Sequence, residues 1–140
     1  LMIPSPPSNG RTTTCRCSTR QDWAPPALLL EAAAGDDGLI VKLIHAFGAD
    51  TGARLEQMRG ALAESNFPGI RAEAHTIKGS ARQMGADAVA DACQELELVS
   101  DPQGAQFIAA RLERVQELFD EIRGAMASYS DKKLESSVIP

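Results

Sequence analysis

The chain has 140 residues, one ordinary domain with tails, and its hydrophobic share of 44% includes only 4% aromatics. An Ala- and Leu-rich core of that kind suits packed helices better than a sheet. The net charge of −5 argues against nucleic-acid binding, which draws most of its affinity from neutralising phosphates. The longest apolar runs, such as residues 27–30 and 39–41, are too short to span a bilayer. No secretory signal is visible. Three cysteines make no disulfide framework and fit a reducing compartment, so a cytoplasmic domain without membrane contact is expected. A monomer is expected as well.

Residues 1–24 read as a disordered leader or linker, rich in Pro, Ser and Thr without any period. Arg11, Arg16 and Arg20 stand there against Asp22 alone, so the rest of the chain is more acidic than its total. The absence of an initiator Met suggests a piece of a longer protein. Cys15 and Cys17 form a Cys-x-Cys pair with no second ligand pair, so no metal site is expected. Trp23 either anchors the leader or lies exposed.

Residues 25–131 read as the folded domain, helical throughout. Pro25 and Pro26 open a short helix through residues 28–30 to Ala34, capped by Gly35. Asp36 or Asp37 caps a long second helix bearing Ile40, Ile44, Phe47, Leu55, Met58 and Leu62 at helical spacing, with Gly48 and Gly52 interrupting it. Asn66 caps a third helix whose seam is Ile70, Ala74, Ile77, Ala81 and Met84, and Gly85 closes it. Asp87 caps a fourth with an inner stripe of Val89, Cys93, Leu96 and Val99. Asp101 and Pro102 open the last, which faces Ile108, Leu112, Val115, Leu118 or Phe119, Ile122 and Met126 inward. Residues 132–140 read as a flexible tail. Short connections imply antiparallel neighbours. The expected fold is all-α, an up-down four-helix bundle with a short extra N-terminal helix.

The third helix departs from a plain amphipathic pattern. Opposite its seam, Arg71, His75, Lys78 and Arg82 recur at steps of four, three and four and form one solvent-facing stripe. Gly79 lies beside His75, although a glycine inside a helix costs about 1 kcal/mol relative to Ala. Such exceptions cluster where function constrains the residue, and here the missing side chain leaves room for a second molecule. An exposed imidazole can attack a phosphoryl group while a neighbouring ammonium group stabilises the oxygens. No carboxylate adjoins His75 on its own stripe, which disfavours general acid–base chemistry. On spacing alone, a solvated surface histidine explains the pattern as well. His45 lacks the Lys and Gly neighbours and reads as a flanking residue. Cys93 reads as core. Glu95, Glu97, Glu113, Glu117 and Glu121 read as solvated faces.

The segment Ala74-His75-Thr76-Ile77-Lys78-Gly79-Ser80-Ala81 closely resembles the A-H-x-[LI]-K-G-[SA]-[SA] signature of histidine-containing phosphotransfer (HPt) domains. The likeness continues through Met84-Gly85-Ala86 and into Ala92-Cys93-Gln94-Glu95-Leu96-Glu97, and it covers residues 25–128 in all. It implies a phosphorelay intermediate without autonomous kinase activity, in the manner of an HPt module from a bacterial hybrid sensor histidine kinase. On that likeness His75 accepts a phosphoryl group from a receiver-domain aspartate and passes it to a response-regulator aspartate. Lys78 then stabilises the phosphoryl group, and Gly79, Arg71, Arg82 and Gln83 take part in docking. The domain needs no cofactor of its own, because the partner receiver supplies Mg²⁺. Arg82 and Gln83 stand where the family often has a pair such as Ala-Asn, which leaves partner choice open. A phosphotransfer domain of the chemotaxis-kinase type and a non-catalytic helical adaptor are the competing readings. A sensor kinase's dimerisation bundle fits less well, since Thr76 follows the histidine where such domains carry an acidic residue.

Overall fold

The computed structural model describes residues 23–138. Five helices follow in order: α1 Ala27–Ala33, α2 Asp37–Ala63, α3 Phe67–Gln83, α4 Asp87–Val99 and α5 Ala105–Val138. Consecutive helices pack on one another, and α2 also packs on α5, so α2 to α5 close into a four-helix bundle with α1 laid against α2. This is the expected all-α architecture. None of the described helices is long and apolar enough to cross a membrane.

The core follows the helical period. Ile40, Leu55 and Met58 from α2 meet Ile70, Ala74, Ile77 and Ala81 from α3, all essentially inaccessible to solvent. Val89, Cys93 and Leu96 of α4 and Ile108, Leu112, Val115 and Phe119 of α5 complete the interior. Full burial of each larger side chain contributes about 1.5–3 kcal/mol. Of the two inward candidates on α5, Phe119 is the buried one. Its ring meets Phe47 edge-on, 6.0 Å away with the planes at 74°. Leu62, Val99, Leu118 and Ile122 are only partly buried and pack at the edges of the core.

The helix boundaries show which local signals acted. Asp36 Oδ1 accepts a hydrogen bond from the Leu39 amide at 3.2 Å, and Asn66 Oδ1 accepts one from the Gly69 amide at 3.1 Å, as N-caps should. Gly85, at φ +75°, closes α3, with Ala86 N–H reaching Ala81 O and Gly85 N–H reaching Arg82 O. The same closing pattern ends α1 and α2, but there the left-handed position falls on Ala34 and Ser65, at φ 53° and 57°. Gly35 follows Ala34 instead of being the residue that turns first.

Three expectations about the ends need correction. Ala86, not Asp87, is the N-cap of α4; Asp87 lies in the first turn, where its charge still favours the helix dipole. Asp101 and Pro102 belong to a tight turn before α5, in which Asp101 Oδ1 accepts from the Gly104 amide at 2.6 Å. Gly104 is needed there, because a Cβ would collide with the Val99 backbone. Finally, α5 does not stop at Asp131 but continues through Val138, over most of the expected tail. Lys, Leu and Glu favour helix there. Lys133 also sits 5.5 Å from the Tyr129 ring centre and 3.9 Å from Asp37 Oδ2.

Trp23 is an anchor. Its indole N–H donates to Met84 O at 2.8 Å, and the ring meets Tyr129 edge-on at 5.3 Å. Cys15 and Cys17, with the rest of the expected leader up to residue 22, lie outside the described residues.

Candidate functional site

The site is built on the α3–α4 seam. Ile70, Ala74, Ile77 and Ala81 bury one face of α3, which turns His75 outward, and its side chain is 71% exposed. Gly79 lies one turn on, and a Cβ built there would meet nothing within 4 Å. Packing among the described residues therefore does not require the glycine.

What the sequence did not foretell comes from α4. Glu97, expected on a solvated face, has a side chain only 17% exposed, and its Oε2 faces His75 Nδ1 at 3.5 Å. Its Oε1 pairs with Lys78 Nζ at 2.7 Å, and the same ammonium group donates to Gln94 Oε1 at 2.7 Å. A fixed carboxylate thus adjoins the imidazole after all, delivered by the neighbouring helix instead of the histidine's own stripe. The distance to His75 exceeds that of a good hydrogen bond. It still suffices for an ionised carboxylate to favour the tautomer that carries its proton on Nδ1. The other nitrogen, Nε2, then keeps its lone pair.

The flank of α4 that carries Gln94 and Glu97 was readable in principle. With Val89, Cys93 and Leu96 inward, those two residues share one side of the helix, three positions apart. What the sequence withheld was that this side faces α3. Cys93 records the same proximity. Burial, and behind it the Glu97 charge, pushes its thiol up to about 12, against a smaller opposing pull from Lys78. It is an inert core thiol.

The expected positive stripe is largely neutralised. The Arg71 guanidinium donates to the Ser100 carbonyl at the end of α4 and so binds the bundle together, leaving less of it to meet a partner. Arg82 pairs with Asp91 Oδ1 at 3.3 Å in an exposed contact of the kind that contributes little. Gln83 is exposed at the last position of α3. Among the docking candidates, Gly79, Arg82 and Gln83 share the open surface with His75, whereas Arg71 is committed to the α4 terminus.

Fold and site together define a class of protein, a helical bundle that presents a solvent-open histidine beside a lysine and a bare stretch of helix. The chain belongs to the Hpt domain family, whose model matches residues 42–128. Hpt domains are phosphotransfer intermediates and not kinases, and their partners are receiver domains. In fold the chain is similar to the crystal structure of histidine-containing phosphotransfer protein B (HptB) from Pseudomonas aeruginosa PAO1, at a TM-score of 0.68 and 24% identity over 77% of this chain and 95% of that one. No match is found among curated proteins.

Proposed function

We propose that His75 is the phosphoacceptor, taking a phosphoryl group from the aspartyl phosphate of a receiver domain and donating it to the aspartate of a response regulator. Nε2 attacks phosphorus in line, the bond to the aspartyl oxygen breaks, and the aspartate leaves as a carboxylate. Glu97 holds the Nδ1 proton throughout and offsets the positive charge that develops on the ring. Lys78, poised between Glu97 and Gln94, swings to the phosphoryl oxygens once they arrive. The Mg²⁺ required for transfer belongs to the receiver. The observation that supports this reading best is the pairing of an exposed His75 with an open surface at Gly79 and a buried-side carboxylate at Nδ1.

The module belongs in a bacterial hybrid sensor kinase pathway in the cytoplasm, with Gly79, Arg82 and Gln83 in the docking face. Incubation with a phosphorylated receiver and Mg²⁺ should place an acid-labile, base-stable phosphoryl group on this chain within minutes. ATP alone should place none. Labelling by ATP without a kinase, or an absence of labelling by every receiver offered, would overturn the proposal.

A further inference from the structure

The seam between α2 and α5 lies across the bundle from the one that carries His75, and although the two helices pack, they leave a gap along part of their length. A cavity of about 350 Å³ opens there, lined by Ile44, His45, Gly48, Arg123, Met126 and Ser130 among others. Three independent observations bear on what it holds. Ser130 is 4% exposed, yet its Oγ has no hydrogen-bond partner among the described residues. Buried hydroxyls are nearly always paired, and Ser100 in this same chain bonds the carbonyl one turn back, Leu96 O, at 2.7 Å. Gly48 stands in the middle of α2, where glycine disfavours helix, and a Cβ there would meet nothing within 4 Å. Its effect is to widen the cavity. Arg123 sits at the edge with its guanidinium carbon 5.4 Å from the centre of the Phe119 ring, and no carboxylate pairs with it among the described residues.

We propose that this cavity binds a small organic acid with an apolar body, at a site separate from the phosphotransfer face. The carboxylate meets Arg123 and His45, whose N–H groups donate to it, and the planar guanidinium matches a carboxylate with two parallel hydrogen bonds. The apolar body rests on Ile44 and Met126, over the small residues Gly48, Ala49 and Ala127. Ser130 Oγ gains its missing partner in a polar atom of the ligand. The volume lies at the lower end of small-molecule sites, which suits a single ring or a short branched chain. An apolar lining of this kind does not compensate the desolvation of a dianionic phosphate, so a monocarboxylate is the better fit.

The test titrates the ¹⁵N-labelled full chain with phenylacetate, and in parallel with phenylacetamide and with acetate. Phenylacetate should give saturable amide shifts at Gly48, Ala49, Ala127 and Ser130 and leave His75 and Gly79 unmoved. It should bind at least about tenfold more tightly than either control, as one charge-assisted hydrogen-bond pair predicts. Arg123→Gln should reduce phenylacetate to the level of the amide. Gly48→Leu, which extends a good helix former into open space, should keep the folded spectrum and abolish binding. Absence of saturable shifts, equal binding of the neutral amide, or unaltered binding in folded Gly48→Leu would each overturn the proposal.

Discussion

Glu97 reaches across from α4 to place Oε2 3.5 Å from His75 Nδ1, while its other oxygen holds Lys78 at 2.7 Å. One carboxylate thus touches both the imidazole and the ammonium group. Long-range ¹H–¹⁵N spectra should find His75 with its neutral proton on Nδ1, whereas Glu97→Ala should shift the ring towards the Nε2–H form that free imidazole prefers. The rate of phosphoryl transfer to Glu97→Ala should fall by about threefold, less than a well-formed hydrogen bond to a charged group is worth, because the carboxylate stands 3.5 Å from the ring nitrogen. An unchanged tautomer and rate would remove Glu97 from the mechanism.

Gly79 separates stability from function. Its missing Cβ fills no need of this fold, since nothing stands within 4 Å of where it would be. Gly79→Ala should therefore raise unfolding stability by about 1 kcal/mol in urea denaturation. Gly79→Leu should remain as stable as wild type and yet slow receiver-dependent labelling of His75 by about tenfold or more, because the side chain stands where a partner must approach. Equal labelling rates in Gly79→Leu would show that the bare surface is not a docking feature.

Cys93 carries a pH signature. With its thiol raised to about 12 in the folded state, the folded protein keeps a proton that the unfolded chain gives up at the ordinary thiol value near 9. Folding stability from this residue is thus fully present below that ordinary value and declines as the pH climbs towards 12. Urea midpoints measured at pH 8 and pH 10 should fall more steeply for wild type than for Cys93→Ala. The thiol should also resist a disulfide reagent until the chain unfolds. Identical pH dependence in the two proteins would count against this.

The left-handed residues that end α1 and α2 offer a further check. Ala34 and Ser65 sit at φ 53° and 57° without the freedom of glycine. Ser65 is exposed, so Ser65→Gly should stabilise the fold by about 1 kcal/mol, and Ala34→Gly should act in the same direction. A loss of stability in Ser65→Gly would show that its hydroxyl matters more than its backbone.

Much of this architecture was legible in the sequence because it rests on local rules. The period of Ile70, Ala74, Ile77 and Ala81 alone turns His75 outward, and Asp36 and Asn66 cap as their types dictate. What escaped depends on how helices face one another. On its own helix Glu97 is one more polar-face glutamate, and only the packing of α4 on α3 half-encloses it; Arg71 is committed only because the fold brings Ser100 O within its reach. The end of α5 escaped for another reason: Lys132 and Lys133 resemble a polar tail by composition, while their propensity is helical. Trp23 could be read either way, and only the position of Met84 O decided it.

The central claim is that His75, and no other residue, carries the phosphoryl group between receivers. Wild type, His75→Gln and His45→Gln should each be mixed with a phosphorylated receiver and Mg²⁺, and the acid-labile label located by peptide mapping. The account predicts label on His75 in wild type and in His45→Gln, and none on His75→Gln. Rapid labelling of folded His75→Gln, or label at His45, would contradict it.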